Sequence, residues 1–234
     1  MPSLSVEKRL EARPVCEGIG ADARIGSNFL VPGIGYGGSC FPKDVLAFRS
    51  VANSVGYDFE ILSAVMAVNE EQRKRFVNKV REAVWTLRGK RLAVLGLAFK
   101  GGTDDIRDSP SLDIVKLLAE EGAFIVAFDP AAMARAAAHL LGLPNITFAK
   151  NAYEACEGSD ALLILTDWQE FKTMDLKVIR KSLRSPIVID GRNLLIGEEV
   201  EAAGLVYHSM GRPAAPEQPA GRVMARAQVT TSYF

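Results

Sequence analysis

Arg91-Leu-Ala-Val-Leu-Gly-Leu-Ala-Phe99 decides how most of this chain folds: after one arginine, every residue is apolar or glycine. A short continuous apolar run that follows a glycine, here Gly89, predicts a strand buried on both faces. Downstream, the pattern repeats. Ser109 or Ser111 to Glu121 reads as a helix and Phe124-Ile-Val-Ala-Phe128 as the next strand, closed by Asp129-Pro130. Further strands are expected at Ala161–Leu165 and Ile187–Ile189, with helices at Ala131–Leu141, Asn151–Cys156 and Asp175–Leu183. Strands alternating with helices imply an α/β fold, a Rossmann-like, doubly wound parallel sheet over residues 89–210. Ligands bind such sheets at the carboxyl ends of the strands. From Gly211 the periodicity stops, and residues 211–234 read as a disordered tail.

Upstream of Gly89 the chain is helical and punctuated by glycine. A short helix is expected over residues 4–13, a loop from Gly18 to Gly38, a helix from Pro42 to Val55, and one long linker helix from Phe59 to Leu87. The charged middle of that helix, Asn69 to Arg75, reads as a solvated face. Residues 1–88 form the first domain in this reading.

Within it, Pro32-Gly-Ile-Gly-Tyr-Gly-Gly-Ser-Cys-Phe-Pro-Lys-Asp44 delivers one cysteine from a glycine-rich loop to the start of a helix. Glycines allow close backbone approach to a ligand and positive φ, and Pro42 suits the first helical position. Cys40 then sits where the helix dipole and nearby Lys43 favour a thiolate. A packing cysteine is the ordinary alternative, but it has no need of the residues on either side.

Composition bounds the rest. With 48% hydrophobic and 24% charged residues, the chain is an ordinary globular one. Lys plus Arg and Asp plus Glu both number 28, so no basic footprint marks a nucleic acid or an anionic membrane as partner. The three cysteines, Cys16, Cys40 and Cys156, are widely spaced and lack CxxC pairs, which argues against a disulfide framework or a metal site and for a reducing cytoplasm. No apolar run reaches the ~18 residues of a membrane span.

The strand ends carry a second set of candidates. Lys100 opens a polar loop, Gly101 to Ser109, that leads into a helix, and Asp190-Gly-Arg-Asn193 follows a later strand. Lys100 and Arg192 aimed at one crevice suggest a diphosphate or a sugar nucleotide. Gly96 and Asp129 are only a partial dinucleotide fingerprint, since GxGxxG is absent.

Gly18-Ile-Gly20 with Asp22 to Gly26, the Gly35–Asp44 loop, Val94 to Lys100 with Thr103-Asp-Asp105 and Arg107, and Asp190-Gly-Arg-Asn193 together resemble the UDP-glucose/GDP-mannose dehydrogenase family over about Val15 to Met210. The serine before Cys40, the Phe-Pro-Lys-Asp after it and Asp-Gly-Arg-Asn are closer to the UDP-glucose branch. The resemblance makes the first part a remnant of a helical central domain and the sheet a UDP-sugar domain. It implies NAD-dependent, two-step oxidation of UDP-glucose to UDP-glucuronate. Cys40 is then the nucleophile, forming a thiohemiacetal and later a thioester that water hydrolyses, with Asp44 assisting. Val31, Pro32, Gly33, Ile34, Gly35, Tyr36 and Gly37 hold substrate through their backbone, as do the side chains of Lys100 and Arg192. Arg24 contacts the sugar across a dimer interface, and Lys43 and Arg107 face NAD. Ordinary readings remain for two of these: Arg107 paired with Asp104 or Asp108, and Arg24 as a surface cation.

The family's chains begin with an NAD-binding domain and a central helix that supplies a catalytic lysine and asparagine. Neither is read here, so the expectation is a truncated homologue retaining the substrate half. Two classes stay open: part of a UDP-glucose dehydrogenase, with a homodimer or a separate NAD-domain chain as partner, or a non-catalytic nucleotide-sugar binding or dimerisation module.

Overall fold

Every strand in the computed structural model, which describes residues 11–212, runs parallel to its neighbours. In chain order the elements begin with α1 (Ala12–Gly20), α2 (Phe41–Ser54) and the 25-residue α3 (Glu60–Val84). The sheet domain follows as β1 (Arg91–Leu95), α4 (Pro110–Glu120), β2 (Phe124–Phe128), α5 (Met133–His139), β3 (Ile146–Phe148), α6 (Ala152–Cys156) and β4 (Ala161–Ile164). It closes with α7 (Gln169–Lys172), α8 (Leu176–Ser182), β5 (Ile187–Asp190), α9 (Gly197–Ala202) and β6 (Val206–Ser209).

The sheet order is β3-β2-β1-β4-β5-β6. The chain winds outward from β1 in one direction, returns and winds outward in the other, so the crevice lies where β1 and β4 part. Leu92 to Leu95 pair with Ala161 to Ile164 across that junction. The central strands β1, β2, β4 and β5 are almost wholly apolar because both faces are covered. On one face, α3 and α4 supply Phe76, Val80, Leu112, Val115 and Leu118. On the other, Cys156 from α6, Phe171 from α7, Ile179 from α8 and Val200 from α9 pack against Leu95, Leu162 and Val188.

Several expectations need correction. The helix expected over 4–13 falls mostly outside the described residues, and the first described helix starts at Ala12, whose N–H donates to the Gly211 carbonyl beyond β6 at 2.8 Å. The loop expected from Gly18 therefore begins at Ala21. α2 starts at Phe41, which makes Pro42 its second residue. The long helix stops at Val84 because Trp85 takes φ +66°. β1 ends at Leu95, and Gly96 (φ +98°) turns the chain off the sheet against Thr166. β3, β6, α7 and α9 lie outside the expected pattern, the first two being edge strands of three and four residues. The expected tail lies beyond the described residues from 213 onward.

Candidate active site

The glycine loop is held against the sheet domain by contacts that need its glycines. A Cβ on Gly37 would overlap the Asp108 carbonyl, and one on Gly38 (φ +92°) would meet the Phe99 ring at 2.7 Å. Gly38 N–H donates to the Arg107 carbonyl at 3.0 Å. At the loop's other end, the Asn193 amide donates to the Pro32 carbonyl at 2.8 Å and to Met210 at 2.9 Å, from a left-handed backbone at φ +51°. Ile34 is buried between them in the main core, and a Cβ on Gly191 would press on it at 2.7 Å.

Cys40 follows as the N-cap of α2, exposed, with its carbonyl accepting from the Asp44 N–H at 2.8 Å and its Sγ 3.6 Å from the Ser39 hydroxyl. Lys43 and Asp44 are exposed on the first turn. Tyr36 and Phe41 meet edge to face at 4.6 Å, which stiffens the turn into the helix.

The crevice edge is assembled by one carboxylate. Asp167, just past β4, accepts from Gly101 N–H at 2.9 Å and pairs with Arg192 at 3.5 Å. Burial opposes its ionisation, but the Arg192 charge and the Gly101 N–H outweigh that and hold its carboxyl below the usual range. Asp167 thereby joins the Lys100 loop to the Arg192 turn. Lys100 itself is exposed, its Nζ 5.4 Å from the Phe99 ring centroid. Beneath Arg192, the buried Asp190 accepts from Arg192 N–H, Leu195 N–H and the Tyr207 hydroxyl, each at 2.9 Å. Burial pushes the Asp190 carboxyl up, against the pull of those donors.

Arg107 is exposed, and its carbonyl accepts from Gly38 N–H two residues before Cys40. Its partner is neither Asp104 nor Asp108. It forks onto Asp105 at 2.8 and 2.9 Å, and that bond holds the Asp105 carboxyl down to about 2. Asp104 pairs instead with Arg135 at 3.0 Å. Asp129 is no free ribose-binding acid: it is buried, accepting from the N–H groups of Leu97, Ala98, Ala131 and Ala132 and from Trp168 Nε1. Arg24 lies on an exposed loop, forked onto Asp22 at 2.6 and 3.0 Å.

Sequence reasoning missed Asp167, Asn193 and Asn69 as structural partners of the site. Asp167 had a signal, a carboxylate directly after a buried strand at the crevice. Asn193 was quoted for its motif but not read for its amide. Asn69 had none, standing in a charged run. That run is not wholly solvated either, since Arg73 is largely covered and sits 3.2 Å from Asp113. Among the described residues, no group of three His, Cys, Asp or Glu could hold a metal ion, and no helix is long and apolar enough to cross a membrane.

A parallel sheet in this order, with a thiol-bearing glycine loop fastened beside its strand ends, defines a doubly wound α/β protein of the Rossmann type with an added helical segment. Residues 3–71 match the central domain, and residues 93–197 the UDP binding domain, of the UDP-glucose/GDP-mannose dehydrogenase family. The chain belongs to that family. It is 48% identical over 200 residues to the UDP-glucose 6-dehydrogenase TuaD of Bacillus subtilis, a match spanning 86% of this chain and 43% of that protein. It is 40% identical over 221 residues to the UDP-glucose 6-dehydrogenase of Pseudomonas aeruginosa, covering 92% and 48%. The solved UDP-glucose dehydrogenase of the archaeon Pyrobaculum islandicum superposes with a TM-score of 0.75 at 34% identity, over 86% of this chain and 44% of its own. The chain thus spans a little under half the length of these relatives.

Proposed function

We propose that this chain carries the substrate-binding and thiol-bearing half of a UDP-glucose 6-dehydrogenase, which oxidises the sugar's C6 alcohol to the carboxylate of UDP-glucuronate. The observation that carries this reading is the fastening of the Cys40 loop to the sheet's ligand edge, through Gly38 to Arg107 and Pro32 to Asn193. We take residues 1–88 as the central helical domain and 89–210 as the nucleotide-sugar domain.

Lys100 and Arg192 bind the diphosphate of the substrate, Arg192 as a planar fork suited to phosphate oxygens. The backbone of Val31, Pro32, Gly33, Ile34, Gly35, Tyr36 and Gly37 holds the sugar nucleotide. Cys40 sulfur adds to the C6 aldehyde carbon, forming a C–S bond as the C=O π bond opens to a hydroxyl. At the thioester stage, attack by water breaks that bond and returns the proton to sulfur, with Asp44 steering the water. Arg24 reaches the sugar of a second copy in a homodimer.

NAD fits at the margin of this chain, not on its own sheet, because Asp129 is occupied by backbone N–H groups and by Trp168 Nε1, while Lys43 lies one turn after the exposed Cys40 and Arg107 on the loop bonded to Gly38. When bound, NAD supplies the hydride acceptor for both oxidations. Arg107, with a guanidinium suited to phosphate oxygens, and Lys43, on the first turn of α2, are the residues of this chain that would hold it. The rest of the cofactor site belongs to a separate domain or chain. Three free cysteines agree with a reducing cytoplasm.

Alkylation of Cys40 tests the reading. UDP-glucose at ten times its Kd is expected to slow carbamidomethylation of Cys40 about tenfold and to leave Cys16 unaffected. Unchanged Cys40 kinetics with bound UDP-glucose would place the sugar elsewhere and favour a binding module without thiol chemistry.

A further inference from the structure

We propose that Asn69 is a positioning residue for the substrate loop, and that one face of α3 couples this loop to the Arg192 turn. This inference deepens the proposed function and rests on it for the identity of the ligand.

Asn69 grips a single residue of the loop from both sides. Its Oδ1 accepts from the Tyr36 N–H at 2.7 Å, and its Nδ2 donates to the Tyr36 carbonyl at 3.1 Å. A side-chain amide that closes such a pair mimics a neighbouring strand and fixes the two peptide planes flanking Tyr36. The approach requires glycine before it: at Gly35, with φ +107°, a Cβ would lie 2.6 Å from Asn69 Oδ1.

The clamp is mounted on the sheet domain. Arg73 and Phe76 follow Asn69 at four and seven residues, on the same side of the helix. Arg73 is ion-paired with Asp113 of α4 at 3.2 Å. Phe76 is fully buried, and a Cβ on Gly191 would meet its ring at 3.1 Å and Ile34 at 2.7 Å. Asn69, Ile34 and Phe76 therefore form a continuous support from Tyr36 to the turn that carries Arg192. The backbone said to hold the sugar nucleotide and the guanidinium said to hold its phosphates keep their spacing through this face.

The test uses the whole chain with two substitutions, amide hydrogen exchange and calorimetric titration with UDP-glucose. Asn69→Leu removes both bonds and is expected to accelerate exchange of the Tyr36 amide, and to weaken UDP-glucose, by about tenfold each. Asn69→Asp keeps the acceptor for Tyr36 N–H and loses the donor. It is expected to retain that amide's protection and lose about threefold in affinity. Exchange and affinity within twofold of the unaltered chain in folded Asn69→Leu would overturn the proposal. So would faster exchange at Tyr36 that only keeps step with amides of β1 and β4, the mark of general destabilisation. If the unaltered chain binds no UDP-glucose, the substrate reading fails, and the exchange arm alone decides whether Asn69 sets the loop.

Discussion

The sheet domain and the segment before it solve the same problem unequally. Between Phe76 and Met210, the central strands are almost wholly covered, by α3 and α4 on one face and by α6 to α9 on the other. Before Phe76, the buried apolar residues of the described chain are Ile34, Val45 and Ala52. α2 leaves Leu46, Phe48 and Val51 exposed, as is Val55 just after it, and the first turns of α3 leave Ile61 and Val68 exposed. The difference teaches where rigidity comes from: besides the Asn69 clamp of its own segment, the glycine loop is held by the sheet domain through Arg107 and Asn193.

The cysteines offer the largest contrast between the regions. Cys40 is exposed at the helix start, whereas Cys156 is buried under the sheet and its thiol is pushed up to about 12. At neutral pH, Cys40 is expected to react with iodoacetamide on the order of a thousandfold faster than Cys156. Cys40 should also outpace Cys16; equal rates for those two would remove the argument for a specialised thiol. Peptide mass spectrometry over a time course measures all three.

Next in size is the cost of losing a ring. Phe76→Ala is expected to destabilise the chain by ~3–5 kcal/mol. Phe48→Ala should cost under ~1 kcal/mol, because Phe48 is exposed and its main aromatic partner is Phe59 at 5.5 Å. Urea unfolding of both variants checks this, and similar losses would mean that the helical segment carries a core of its own.

A smaller effect separates the regions by pH. Arg107 depresses the Asp105 carboxyl in the folded chain to about 2, below its ordinary ~3.9. Its contribution to stability is therefore present above pH ~4 and is lost as pH falls through about 2. Asp105→Asn is expected to flatten the fall of Tm over that window, and a profile parallel to the unaltered chain would deny the pairing.

Much of this was legible in the sequence. β1, β2, β4 and β5 announce themselves as apolar runs because strands covered on both faces have no polar residues to spare. β3 and β6 do not, since Ile146-Thr-Phe148 is short and largely exposed and Val206-Tyr-His-Ser209 mixes polar with apolar residues at the sheet's edge. The thiol loop was legible through its glycines, of which Gly35, Gly37 and Gly38 relieve contacts with Asn69, Asp108 and Phe99. The side chains that hold it were not. Asn69 and Asp167 gain their meaning from partners 33 and 66 residues away in sequence, and a single polar residue does not name its partner. Arg24 and Arg107 were read for ligand contacts, and in the free chain both are occupied by carboxylates of their own loops.

Calorimetric titration of the purified chain with UDP-glucose, alongside its Arg192→Ala variant, tests the central claim most directly. The account predicts saturable binding that the substitution weakens about 10- to 100-fold, the worth of a charge-assisted contact to phosphate. Absence of binding to a well-folded chain, or binding indifferent to Arg192, would contradict the claim that this half holds the substrate.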